Sequence, residues 1–145
     1  MSIKESQEKI AANMRDWQKI EKAGIASTGK IIEQSENPIV ILIMEIIQRD
    51  SQMHYRVQQL IADSLETRTI ALTPDELATV WGMIESHIAL EKETVEIAEA
   101  SLAALKGKKM VVQEYLLDYM LRDENKHIAI LGTLETIKKG MYPYG

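Results

Sequence analysis

The sequence predicts an all-α fold, a four-helix bundle in a single domain spanning residues 1–145. Three observations predict it. Apolar residues recur at alternating three- and four-residue steps along nearly the whole chain, the period of a helix face. Proline occurs only at positions 38, 74 and 143, each where a helix boundary is expected. The segments between the periodic stretches are short, as in bundles whose sequential helices are neighbours.

Each element has its own punctuation. Helix 1 is expected at about 3–34, with Ile10, Met14, Trp17, Glu21, Gly24, Thr28 and Ile31 along one stripe. Asn37-Pro38 reads as an N-cap followed by Pro at the first helical position and starts helix 2, expected at about 38–66. Its stripe is Val40, Ile43, Ile47, Asp50, His54, Val57 and Ile61. Thr73-Pro74-Asp75-Glu76 is a stronger start, because Glu three residues after a capping Thr completes a capping box. Helix 3 follows at about 74–105, with Leu77, Trp81, Ile84, Ile88, Glu91, Val95, Ala98 and Leu102 on its stripe. Gly107 is free to take the left-handed conformation that ends a helix. Helix 4, at about 109–139, carries Leu117, Met120, Glu124, His127, Leu131 and Leu134, and Met141–Gly145 is a tail. Helices of this length are roughly 45 Å long. Phe is absent, so Leu, Ile, Val and the eight Met must fill the core.

Composition narrows the function. The chain of 145 residues has 17 Lys+Arg against 22 Asp+Glu, a net charge of −5. That balance argues against a nucleic-acid binder, which needs clustered cations. There is no cysteine, which excludes disulfides, thiolate metal sites and cysteine nucleophiles. The N-terminal residues are polar, without an apolar signal core. The longest apolar stretch, Pro38 to Ile47, contains Glu45 and is far shorter than the ~20 residues of a membrane span. The expectation is a cytoplasmic protein without a membrane partner.

An ionisable residue interrupts every stripe near its middle: Glu21, Asp50 with His54, Glu91, and Glu124 with His127. In a bundle these interruptions would meet at one level of the core. Burying isolated charges costs several kcal/mol each unless they pair or bind a metal. Carboxylates and imidazoles converging inside a bundle are a ligand set for iron or manganese, and zinc accepts it too. The i, i+3 spacing of Glu124 and His127 points both to one side of their helix. His87 lies one turn from Glu91. It either joins the site or hydrogen-bonds at the surface.

Glu124-Asn125-Lys126-His127 is a Glu-x-x-His motif on a helix, and Arg122-Asp123 precedes it. Here the chain resembles the ferritin-like superfamily, in particular its rubrerythrin-type branch, over nearly the whole length. The resemblance implies two iron ions, held by a Glu from each of two helices and a Glu-x-x-His from each of the other two. Arg49–His54 repeats Arg122–His127 at an offset of 73, but Ser51 stands where the first motif would have Glu. The same offset sets Gln18, not Glu21, opposite Glu91. The implied ligands are His54, Glu91, Glu124 and His127, with Asp50, Glu21 and His87 as candidates to complete the set. Asp50, one turn from His54, is the candidate substitute for the missing Glu.

The implied activity is reduction of oxygen or peroxide coupled to iron oxidation. Without cysteine the chain has no rubredoxin-type electron-transfer domain, so the electron donor is external. The alternative is a degenerate relative that keeps the bundle without redox chemistry and acts as a structural or interaction module. A homo-oligomer, such as a dimer, is the expected assembly, with outer Leu42 and Leu90 available for it.

Two further features have plainer readings. Gly24–Lys30 fits Gly-x4-Gly-Lys, but it follows a helical pattern rather than a strand, so its glycines are read as allowing close helix packing or a bend. Trp17 and Trp81 are expected in the core. The linker Thr67–Thr73 spans at most roughly 25 Å, less than one helix length, so either helix 2 ends early or the order is simple up-down-up-down.

Overall fold

The computed structural model describes residues 1–141, apart from the side chains of Pro74 and Met141. The fold is all-α. Four helices, α1 (Ile3–Gln34), α2 (Pro38–Glu66), α3 (Pro74–Leu105) and α4 (Val111–Met141), account for the regular structure, and there is no strand among the described residues. The chain divides into two compact units, 1–71 and 72–145, and each contains one helical hairpin. No helix among the described residues is long and apolar enough to cross a membrane.

The first three helices begin and end where the local signals put them. Asn37 caps α2 through Oδ1, which accepts from the amides of Ile39 at 2.9 Å and Val40 at 3.3 Å. Thr73 and Glu76 form the capping box of α3. Ser2 and Glu5 form a second one at the start of α1, a Ser-x-x-Glu signal that was equally legible. Helix α4 is displaced by two residues at each end from its expected bounds. Gly107 adopts φ 77°, and the amides of Lys106 and Lys108 turn back onto Ala103 and Leu105, so the turn is longer than expected. At the far end the helix runs through Gly140, since glycine weakens a helix without forcing a stop. The expected tail lies, from Tyr142 onward, outside the described residues.

In the first unit α1 and α2 run antiparallel. The rungs are Arg15 with Glu66, Gln18 with Tyr55 and Gln59, Glu21 with His54, and Ile25 with Gln48. This seam differs from the expected stripes. Buried on α1 are Ala11, Gln18, Glu21 and Thr28, and on α2 Gln58 and Ala62. Ile10, Trp17, Ile31, Val40, Ile47, Val57 and Ile61 are exposed. Each helix is rotated so that its more polar row meets its partner, and the expectation that Trp17 is a core residue fails: it is 50% exposed.

The second hairpin keeps the expected seam. Leu77, Trp81, Glu91 and Ala98 are buried on α3. The Trp81 indole donates to Glu85 Oε1 at 2.8 Å, and Lys138 Nζ lies 4.7 Å from the centre of its ring. The contacts of Trp81 with Lys138, Glu91 with His127 and Thr94 with Glu124 fix α3 and α4 as antiparallel.

Candidate metal centre

The second hairpin gathers three of the expected ligands. One ligand atom from each of Glu91, Glu124 and His127 lies within 4.8 Å of the others. His127 Nδ1 is 3.3 Å from Glu91 Oε1 and 3.8 Å from Glu124 Oε2. Glu91 is only 7% exposed. Its Oε1 also meets His87 Nε2 at 2.8 Å, while its Oε2 is sealed from solvent with no hydrogen-bond partner among the described residues. A buried carboxylate oxygen left without a partner costs about 1–3 kcal/mol or more. Two carboxylates this close repel when both are ionised, and a cation between them relieves that repulsion. The donor set of two carboxylates and one imidazole fits iron, manganese or zinc.

Neighbouring groups orient the donors. Asp123 Oδ2 stands 3.4 Å from Nε2 of His127, on the ring edge away from the group. A carboxylate behind an imidazole in this manner holds the ring and raises its basicity as a ligand. Thr94 Oγ1 is 3.1 Å from Glu124 Oε2 and 2.7 Å from the Glu91 carbonyl. Its single hydroxyl proton serves either acceptor. Thr94 escaped the sequence reading, although it lies i+3 from Glu91 and therefore on the same face. His87 approaches Glu91 but is outside the three-residue group, and its side chain is more than half exposed.

The first hairpin carries a thinner version. Glu21 is buried, and its Oε1 is 3.4 Å from His54 Nδ1. The His54 ring is 59% exposed. The buried Gln58 amide has two orientations open to it. One donates to Glu21 Oε1 at 3.5 Å, and the other donates to the His54 carbonyl while accepting from the Trp17 indole, both at 3.3 Å. Asp50 is exposed on α2, outside these contacts. By the repeat it corresponds to Asp123, the carboxylate behind the histidine, rather than to Glu124.

The pairing of Glu21 with His54 also explains the register of the repeat. An interval of 33 residues separates Glu21 from His54, and 36 separate Glu91 from His127. The turn Lys106–Met110 is two residues longer than Ser35–Asn37, and α3 runs one residue further past Glu91 than α1 does past Glu21. The offset is therefore 70 between α1 and α3 and 73 between α2 and α4. Glu21, not Gln18, is the counterpart of Glu91. Gln18 instead donates to the Tyr55 carbonyl and to Gln59 Oε1. No family model, curated protein or solved structure matches the chain.

Proposed function

We propose that the chain is a metal-binding protein of ferritin-like type, with Glu91, Glu124 and His127 as the principal ligands. The observation that carries this reading is the convergence of the three donors on a buried carboxylate whose second oxygen has no partner. Iron is the metal that the resemblance implies; manganese and zinc accept the same donors. A bound iron ion would supply one-electron chemistry toward oxygen or peroxide, with electrons from an external donor.

The residues of the chain have separable roles. Glu91 and Glu124 provide negative charge, and His127 provides a neutral nitrogen. Asp123 holds the His127 ring, and Thr94 holds Glu124. His87 Nε2, when it carries the ring proton, donates to Glu91 Oε1 at 2.8 Å from the side open to solvent. A second reading is a bundle without redox chemistry, acting as a structural or interaction module. Gly24 and Ser51, which stand where Thr94 and Glu124 stand in the other hairpin, favour it.

Metal analysis separates the two. Protein purified without chelator or metal-affinity resin, then loaded anaerobically with Fe(II), should retain iron. His127→Ala should lose it while keeping its helical circular dichroism. Less than about a tenth of an equivalent in the wild type would refute the metal-binding reading, and unchanged iron in His127→Ala would refute the proposed ligand set.

A further inference from the structure

The two hairpins present equivalent positions with unequal chemistry. Glu21, Gly24, Ser51 and His54 occupy in α1–α2 the places of Glu91, Thr94, Glu124 and His127 in α3–α4. The differences are concentrated at one contact. In α3–α4 the Thr94 hydroxyl meets the Glu124 carboxylate at 3.1 Å. In α1–α2 the corresponding contact joins Gly24 and Ser51, where a Cβ built on Gly24 would lie 3.6 Å from Ser51 Oγ. Both the anionic donor and the hydroxyl that orients it are missing together.

We propose that the chain binds a single divalent metal ion, through Glu91, Glu124 and His127, with Thr94 as a positioning residue for Glu124, and that α1–α2 contributes no second ion. This rests on the metal-binding reading and departs from the two ions that the resemblance implies. Three donors within reach of one another can hold an ion with solvent completing the shell. Glu21 and His54 alone offer two. They also have less need of one: Glu21 Oε1 lies 3.4 Å from His54 Nδ1, and among the described residues only Glu91 keeps a sealed side-chain oxygen without a partner. Thr94 acts by fixing where Glu124 points. A carboxylate on a long side chain otherwise samples several rotamers, which it must give up on binding.

Anaerobic equilibrium dialysis of the full chain against Co(II), with the visible spectrum of the bound cobalt, tests this. The wild type should hold one cobalt. Thr94→Val should weaken binding about tenfold and Thr94→Ser should restore it, because the hydroxyl rather than the methyl is what acts. Thr94→Gly combined with Glu124→Ser gives α3–α4 the residues of α1–α2 and should abolish binding. Gly24→Thr combined with Ser51→Glu supplies α1–α2 with the missing pair and should add a second ion. The 3.6 Å spacing at Gly24 is ordinary van der Waals contact, and circular dichroism checks that each variant keeps its helices. Two cobalt ions in the wild type, one of them lost in His54→Ala, would overturn the single-ion proposal and leave the metal-binding reading intact. A cobalt that survives Thr94→Gly with Glu124→Ser would overturn the proposed ligands, and no cobalt in the wild type would overturn both readings.

Discussion

The hairpins α1–α2 and α3–α4 are built on one plan and sealed by different means. Gln18, Gln48 and Gln58 line the seam of the first, at positions that Ile88, Leu121 and Leu131 hold in the second. The first hairpin is tied by amide hydrogen bonds onto neighbouring carbonyls and carboxylates. Each such bond contributes roughly 1 kcal/mol net, because water satisfied the same groups before folding. The second buries Leu77 and Trp81 and keeps its polar groups to one level, around Glu91. A seam that satisfies its polar groups internally has little left for a ligand. A seam that leaves one buried oxygen without a partner does.

The largest expected difference is in tryptophan. Trp81→Ala removes a side chain that is 7% exposed and should cost about 3–4 kcal/mol in urea unfolding of the full chain. Trp17→Ala, at the half-exposed position, should cost about 1 kcal/mol. Equal losses would erase the contrast between the two seams.

Metal should act on one hairpin. Mn(II) at a hundredfold excess over its dissociation constant should add about 2.7 kcal/mol of stability. Slowed amide exchange should be concentrated in α3 and α4 around Glu91, Thr94 and His127. Equal slowing around Glu21 and His54 would break the comparison, since it would place an ion in each half.

Smaller effects separate the turns. Gly107 has φ 77°, so Gly107→Ala should cost about 1 kcal/mol. Gly132, inside α4 with nothing within 4 Å of a Cβ built on it, should behave oppositely. Gly132→Ala should stabilise by about 0.5–1 kcal/mol, seen as a higher midpoint in the same urea titration. The turn Ser35–Asn37 needs no left-handed residue: Asn37 Oδ1 caps α2, and the Ser35 hydroxyl accepts the Asn37 amide. Alanine at Ser35 should therefore cost less than alanine at Gly107.

What was legible in the chain follows from the range of the forces involved. Thr73-Pro74-Asp75-Glu76, Asn37-Pro38 and Gly107 act through hydrogen bonds and dihedral preferences within a few residues, so they set helix boundaries wherever the rest of the chain lies. Glu124 and His127 share a turn, so their common direction was equally local, and Glu91 lay on a stripe with strong apolar neighbours. Other features were settled only in three dimensions. α1 and α2 turn their glutamine rows inward, where the side-chain amides meet carbonyl and carboxylate partners across the seam, and Trp17 and His54 are left half exposed or more. Nothing in a one-helix pattern ranks those bonds above an apolar stripe. The pairing of Glu21 with His54, and of Thr94 with Glu124, depended on the lengths of two turns. A turn two residues longer, with one more residue of helix before it, shifts every rung of the second hairpin against the first. Periodicity told which residues could face a neighbour, and only the closed hairpins chose which did, since that choice depends on contacts between residues more than twenty positions apart.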